Sequence, residues 1–102
     1  MDDKSLYSGL IRLHILHHAA EKPVYGTWIA EELGEHGYKL SAGTLYPILH
    51  QLERKGYLRS HGERRGRSAR RIYEATALGR RALRTSRKRV KELFGEMFGI
   101  KH

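Results

Sequence analysis

Cysteine is absent from the 102 residues, which excludes a disulfide framework and any thiolate metal site and leaves a reducing compartment tolerated. Proline occurs twice, and no Ser/Gly-rich tract is present, so long disordered linkers are not expected. No apolar run approaches the roughly eighteen residues of a membrane span, and the start Met1-Asp2-Asp3-Lys4 lacks the basic region of a secretory signal. A cytoplasmic protein without membrane contact is therefore expected. There is no Gly-rich phosphate loop, no nucleophile elbow and no carboxylate pair beyond Glu31-Glu32. An enzyme is not expected, nor is a cofactor.

What is present is charge of one sign, unevenly placed. A hydrophobic fraction of 39% suits one core, and the formal net charge is +9. Residues 1–53 carry four basic side chains against seven acidic ones, whereas residues 54–91 carry fifteen basic side chains against only Glu63 and Glu74. A merely solvated surface interleaves both signs; a one-signed block of this density calls for a polyanion, and nucleic acid is the commonest.

The apolar spacing predicts where the chain is helical. Leu6, Leu10, Leu13 and Leu16, flanked by Ile11 and Ile15, recur at helical steps until Lys22-Pro23, which predicts a first helix over about residues 4–20. Tyr25, Ile29 and Leu33 give a short second helix ending near His36, with Gly37 as its left-handed stop. Leu45, Ile48, Leu49 and Leu52 form the stripe of a third helix that ends at Lys55-Gly56. Pro47 leaves two starts for that helix: Ser41 caps it and it kinks near Gly43, or Thr44 is the cap and Pro47 sits in the first turn. Beyond Gly56 the period falls to two. Tyr57–Ser60 and Arg70–Tyr73 read as strands joined by a basic loop over residues 62–68. Thr76 is positioned to cap a last helix whose seam runs Leu83, Ser86, Val90, Leu93, Met97, Ile100. Too short to stand alone, that seam is expected to seal a partner's surface.

Three helices and a basic-tipped hairpin occur in the order of a winged helix-turn-helix, in which the third helix enters the major groove and the hairpin reaches the adjacent backbone. The predicted fold class is mainly α with a small β-hairpin, residues 1–75 forming the winged helix-turn-helix and residues 76–102 a C-terminal dimerisation helix of the same compact unit. With the leucine stripe facing the core, the free side of the third helix and its flanks carry Ser41, Gly43, Thr44, Tyr46, Pro47, His50, Gln51 and Arg54, groups suited to base edges and phosphates and free of acids. Arg64, Arg65, Arg67, Arg70 and Arg71 concentrate charge on the hairpin for phosphate or narrow minor-groove contact.

These residues also carry a resemblance. Tyr25-Gly26, the run from Gly43 to Leu58 (G-T-L-Y-P, then L-x-x-L-E-x-x-G), the basic wing and Tyr73–Gly79 resemble the PadR family of bacterial repressors over nearly the whole chain. The resemblance implies a homodimer whose last helix packs across its partner, and regulation by small aromatic effectors such as phenolic acids or drugs. It places the recognition helix over Ser41–Lys55, with Thr44, Tyr46, Pro47 and His50 at the groove, and the wing over Arg59–Arg71. The second wing strand, Gly66 to Tyr73, has one more basic residue and one fewer tyrosine than the family pattern, and the last helix, ending at His102, marks a minimal member. Leu6, Leu10, Leu83, Val90, Leu93, Phe94 and Met97 are the expected dimer residues, and an effector pocket is expected between the first helix and the partner's last.

Two features have blander readings. His14, His17 and His18 stand at i, i+3 and i+4, a spacing that brings two imidazoles to one metal. With no cysteine or carboxylate recognised beside them in sequence, a surface or interface cluster, even a pH-sensitive dimer contact, is expected instead, and no metal. Trp28 is expected in the core rather than stacked on a ligand. The whole predicts a repressor binding a near-palindromic operator as a homodimer, with half-sites about ten base pairs apart. The rivals are a sequence-tolerant architectural DNA-binding protein and a dimerising module whose basic face meets an acidic protein.

Overall fold

A computed structural model of the chain describes residues 3–100; Met1-Asp2 and Lys101-His102, with the expectations attached to them, lie outside the described residues. The element order is α1 (Lys4–Glu21), β1 (Val24–Tyr25), α2 (Gly26–Glu35), α3 (Ala42–Arg54), β2 (Leu58–Arg65), β3 (Ser68–Ala75) and α4 (Ala77–Phe98). The strands form one antiparallel sheet in the order β1-β3-β2. This is a winged helix-turn-helix with a long fourth helix appended. No helix among the described residues is long and apolar enough to cross a membrane.

Asp3 starts α1 by accepting the Ser5 amide at 3.0 Å. The helix has two apolar sides. Ile11, Ile15, Leu16 and Ala19 are buried in the core, whereas Leu6 and Leu10 of the sequence stripe point outward. After Pro23 the chain stays extended, and Val24 and Tyr25 pair with Tyr73 and Ile72. Tyr25, expected inside the second helix, is therefore a strand residue, and α2 starts at Gly26. α2 and α3 approach closely there, since a Cβ on Gly26 would come 2.9 Å from the hydroxyl of Tyr46 on α3 and force that side chain to shift.

Both helix-turn-helix helices end in the same way. Gly37 (φ 87°) follows α2 and Gly56 (φ 82°) follows α3, and the Tyr38 and Tyr57 amides reach back 2.9 Å to the carbonyls of Leu33 and Leu52. Of the two starts open for α3, Ser41 holds the cap position and Thr44 lies inside the helix. The Ser41 hydroxyl makes no capping bond; it donates to Thr44 Oγ1 at 3.2 Å. Pro47, one turn in, has no N–H for the carbonyl of Gly43, an exposed residue. Leu45, Leu49 and Leu52 are buried on the other side of the helix.

The hairpin is longer than its sequence suggests. The expected loop over residues 62–68 is mostly ladder, for Gly62 pairs with Arg71, Glu63 with Arg70, Arg64 with Ala69 and Arg65 with Ser68. Only Gly66-Arg67 turns. Gly66 is left-handed (φ 57°) and Arg67 is not, the pattern of a II′ turn with glycine first. The outer half projects beyond the core, so neither face is buried and no apolar alternation betrays it.

Wing, α3 and α4 meet at one junction. The Thr76 amide donates to the Tyr57 carbonyl at 3.0 Å, its hydroxyl donates to the Gly56 carbonyl, and its oxygen accepts the Gly79 amide at 3.0 Å. Gly79 lies flat on Tyr57, and a Cβ there would overlap the Tyr57 carbonyl oxygen. Gly79→Ala is therefore expected to cost at least about 2 kcal/mol of unfolding free energy, as overpacking against unyielding backbone does. Gly9→Ala, a mid-helix change into open space, should stabilise by about 0.5–1 kcal/mol. Urea unfolding of both variants checks this, and equal effects would contradict the junction's geometry.

Candidate nucleic-acid interface

Burying the leucine stripe of α3 leaves Ser41, Ala42, Gly43, Pro47, His50 and Arg54 exposed, with Thr44 half-buried beside them. The first turn has no acidic residue, so the positive end of the helix dipole is not neutralised and favours an anion. Two residues expected on this surface turn inward. Tyr46 is half-buried with its hydroxyl over Gly26. Gln51 uses its Oε1 to accept Arg12 Nε at 3.2 Å and Nη2 at 2.8 Å, while Arg12 Nη1 donates to the Ser8 carbonyl at 3.1 Å. Both residues flank the apolar stripe, where a wheel drawn from sequence leaves the direction open; neighbouring α1 and α2 decide it.

The wing has two chemically different faces, because paired residues of an antiparallel ladder point the same way and alternate along each strand. Leu58, Ser60, Gly62 and Arg64 share a face with Ala75, Tyr73, Arg71 and Ala69. This face continues from the core on the α3 side: Arg71 Nε donates to Ser60 Oγ at 3.0 Å, and Ser60 Oγ donates to Glu53 of α3 at 2.7 Å. Arg59, His61, Glu63 and Arg65 share the opposite face with Glu74, Ile72, Arg70 and Ser68. Both wing acids are there, and they pair internally: Arg59 Nε lies 2.8 Å from Glu74 and Arg65 Nε 3.4 Å from Glu63. Arg64 and Arg71, with Arg67 at the tip, thus present the positive charge of the α3 side. Arg65 and Arg70, grouped with them in the sequence, point the other way. Tyr73 is buried, and two residues' separation along a strand puts Arg71 on the same face.

The opposite face braces the wing. Tyr25 donates its hydroxyl to Glu63 at 2.6 Å, and the Arg70 guanidinium stacks 5.1 Å above the Tyr25 ring. That hydrogen bond to Glu63, helped by desolvation and the carboxylate charge, raises the Tyr25 phenol above its ordinary value, against weaker lowering by Arg65 and Arg70.

On the other side of the molecule α1 and α4 expose apolar surface. Val90, Leu93, Phe94, Met97 and Phe98 are exposed on α4, Leu93 by 55% and Met97 by 68%, and Leu6 by 73% on α1. Leu83, expected at the same seam, packs against this chain's own core. A groove of about 790 Å³ lies between the two helices, with Leu10, Leu13, Val90 and Phe94 among its apolar lining and Arg84, Arg87, Lys88 and Lys91 among its cations. The pocket expected against a partner's helix is already outlined by this chain's own α1 and α4.

Known proteins share this arrangement. Residues 15–85 match the Transcriptional regulator PadR-like family. The chain is 51% identical to Transcriptional regulator Rv3488 of Mycobacterium tuberculosis over 87% of its own length and 83% of the relative's. The crystal structure of a PadR family transcriptional regulator from Eggerthella lenta superposes with a TM-score of 0.80 at 29% identity, covering 94% of this chain and 85% of that one. A PadR-like transcriptional regulator from Bacillus cereus gives 0.83 at 19% identity over 94% and 95% of the two chains, a likeness of fold.

The brace between Tyr25 and Glu63 has a pH signature. A phenol held neutral in the folded wing contributes its stability in full below about pH 10, the ordinary tyrosine value, and loses it as pH rises through the raised folded value. Glu63→Ala should move the Tyr25 ionisation back toward lower pH, followed by NMR at its ring carbon; an unchanged titration would mean that the wing is not tied there.

Proposed function

Because the chain belongs to the PadR-like family of transcriptional regulators, and so is a DNA-binding regulator rather than an enzyme, we propose that it represses transcription by binding a near-palindromic operator as a homodimer. The observation that carries this is the wing face bearing Arg64 and Arg71, which Arg71 and Ser60 link by hydrogen bonds to α3, a helix whose exposed residues include no acid. In this reading α3 lies in a major groove. His50 and Thr44 meet base edges, the helix N-terminus and Ser41 meet a phosphate, Pro47 packs against the groove wall, and Arg54, Arg64, Arg67 and Arg71 hold flanking phosphates.

The exposed apolar side of α4, with Leu6 and Leu10 of α1, is the surface the second copy covers. A two-fold axis there sets the two recognition helices about one turn of DNA apart, roughly ten base pairs. The groove between α1 and α4 supports release by an effector, for its apolar lining and cationic residues suit a small aromatic acid. Such a repressor works on the nucleoid, in the cytoplasm.

Binding to its own operator should exceed binding to random duplex by about a thousandfold or more. A ratio near one would favour a sequence-tolerant architectural protein instead, and no binding to any duplex would favour a module for an acidic protein. Arg64→Ala and Arg71→Ala should each weaken all duplexes alike and reduce the slope of log affinity against log salt by about one. Arg65→Ala and Arg70→Ala should do less, and His50→Ala should change the ranking of operator variants. If the two wing faces respond equally, the assignment of faces is wrong.

Leu93→Asp should give folded monomers by sedimentation, because Leu93 is exposed in the single chain, with weakened operator binding. A Leu93→Asp variant that remains dimeric would overturn the proposed interface.

A further inference from the structure

Behind the helix-turn-helix, α1 and α2 bring together titratable groups that DNA binding does not use. Two pairs at i, i+4 come together: His14 and His18 on α1, and Glu32 on α2 with His36 at that helix's C-cap. Glu32 Oε2 lies between two imidazoles, 3.5 Å from His18 Nε2 and 3.0 Å from His36 Nε2. The His14 ring completes the group, 4.9 Å from the His36 ring and 6.4 Å from the His18 ring between centroids. His14, His18 and Glu32 also line a narrow crevice with Trp28 and Ile29. Contrary to the expectation that no carboxylate lies near these histidines in sequence, Glu21 stands three residues after His18, and Glu32 supplies a second carboxylate from across the helix pair.

We propose that His14, His18, Glu32 and His36 form a binding site for a divalent cation of the zinc class that clamps α1 to α2. Three imidazoles and a carboxylate are the donors such an ion takes. Metal–donor bonds of about 2.0–2.1 Å at tetrahedral angles place neighbouring donor atoms about 3.3 Å apart and coordinated ring centres about 5 Å apart. The distances of 3.5, 3.0 and 4.9 Å lie around those values, and binding draws the four side chains together by rotation, His14 and His18 first, whose rings stand 6.4 Å apart.

An outer partner is in place as well. His18 presents Nε2 to the site, and its Nδ1 lies 3.6 Å from Glu21 Oε1, the carboxylate support that ligating histidines commonly have. His17, His18 and Glu21 offer a second set of donors within 4.8 Å of one another. They all come from one helix, however, and adjacent residues diverge by about 100° around it. The set spanning two helices is the one that an ion would make rigid.

The test uses the full chain, freed of metal by a chelator and titrated with Zn²⁺ by calorimetry and with Co²⁺ by visible absorption. One ion per chain is expected, with the intense absorption of tetrahedral Co²⁺ and a Zn²⁺-dependent rise in melting temperature. His36→Ala and Glu32→Gln should each weaken binding by about a hundredfold or more, Glu21→Gln by about tenfold, and His17→Ala should leave it unchanged. Melting in chelator shows which variants remain folded; His36 is half-exposed, so its replacement keeps the comparison usable if Glu32→Gln does not fold. No saturable binding by the parent chain would overturn the proposal. So would binding that survives His36→Ala, or that is lost in His17→Ala but kept in His36→Ala, an outcome that places the ion on the outer surface of α1.

Discussion

Thr76 stands where the wing ends and α4 begins, and its backbone and hydroxyl groups bind the turn that leaves α3. Its amide meets the Tyr57 carbonyl, its hydroxyl meets the Gly56 carbonyl, and its oxygen receives the Gly79 amide. Three elements with separate duties leave from this point: the helix offered to bases, the strands offered to the backbone, and the helix offered to a second copy. Buried backbone groups without partners are costly, and at this junction they find them in one another. Small errors here would swing the ends of long elements, so the absence of a Cβ at Gly79 is a constraint on all three.

The same constraint sorts the charge. The basic block from residue 54 onward reads in sequence as one feature, but folding divides it among three surfaces. Arg64 and Arg71 extend from the α3 side of the sheet, Arg59 and Arg65 pair with acids behind it, and Arg84, Arg87, Lys88 and Lys91 border the groove of α4. Arg80 goes elsewhere again, donating to the Ala20 carbonyl in the last turn of α1 at 2.6 Å. Unpaired cations facing the same way as an unneutralised helix N-terminus attract a polyanion more than their number alone implies.

Much of this was legible in the residues. Apolar spacing located α1, α3 and α4 within a residue or two, Thr76 capped α4 as its position suggested, and the order of elements pointed to the winged fold. What escaped had little local signal. The two-residue β1 has no period, and it exists because β3 passes beside it. The outer wing is strand without a buried face, so its polarity imitated a loop. Tyr46 and Gln51 lay at the margin of the stripe and were drawn inward by Gly26 and Arg12. Leu6 and Leu10, expected at a partner-facing surface, are by contrast exposed, because α1 serves two apolar surfaces. Glu32 and His36 are distant in sequence from His14 and His18, and only the packing of α2 on α1 brings them together.

The central claim is that the junction aims the exposed side of α3 and the Arg64/Arg71 face of the wing at one duplex. An NMR structure of the protein bound to an operator duplex tests it most directly. The account predicts contacts from His50 and Thr44 to base edges and from Arg64 and Arg71 to the sugar-phosphate backbone of the same site. Contacts confined to Arg59, Arg65 and Arg70, with α3 unperturbed, would contradict it.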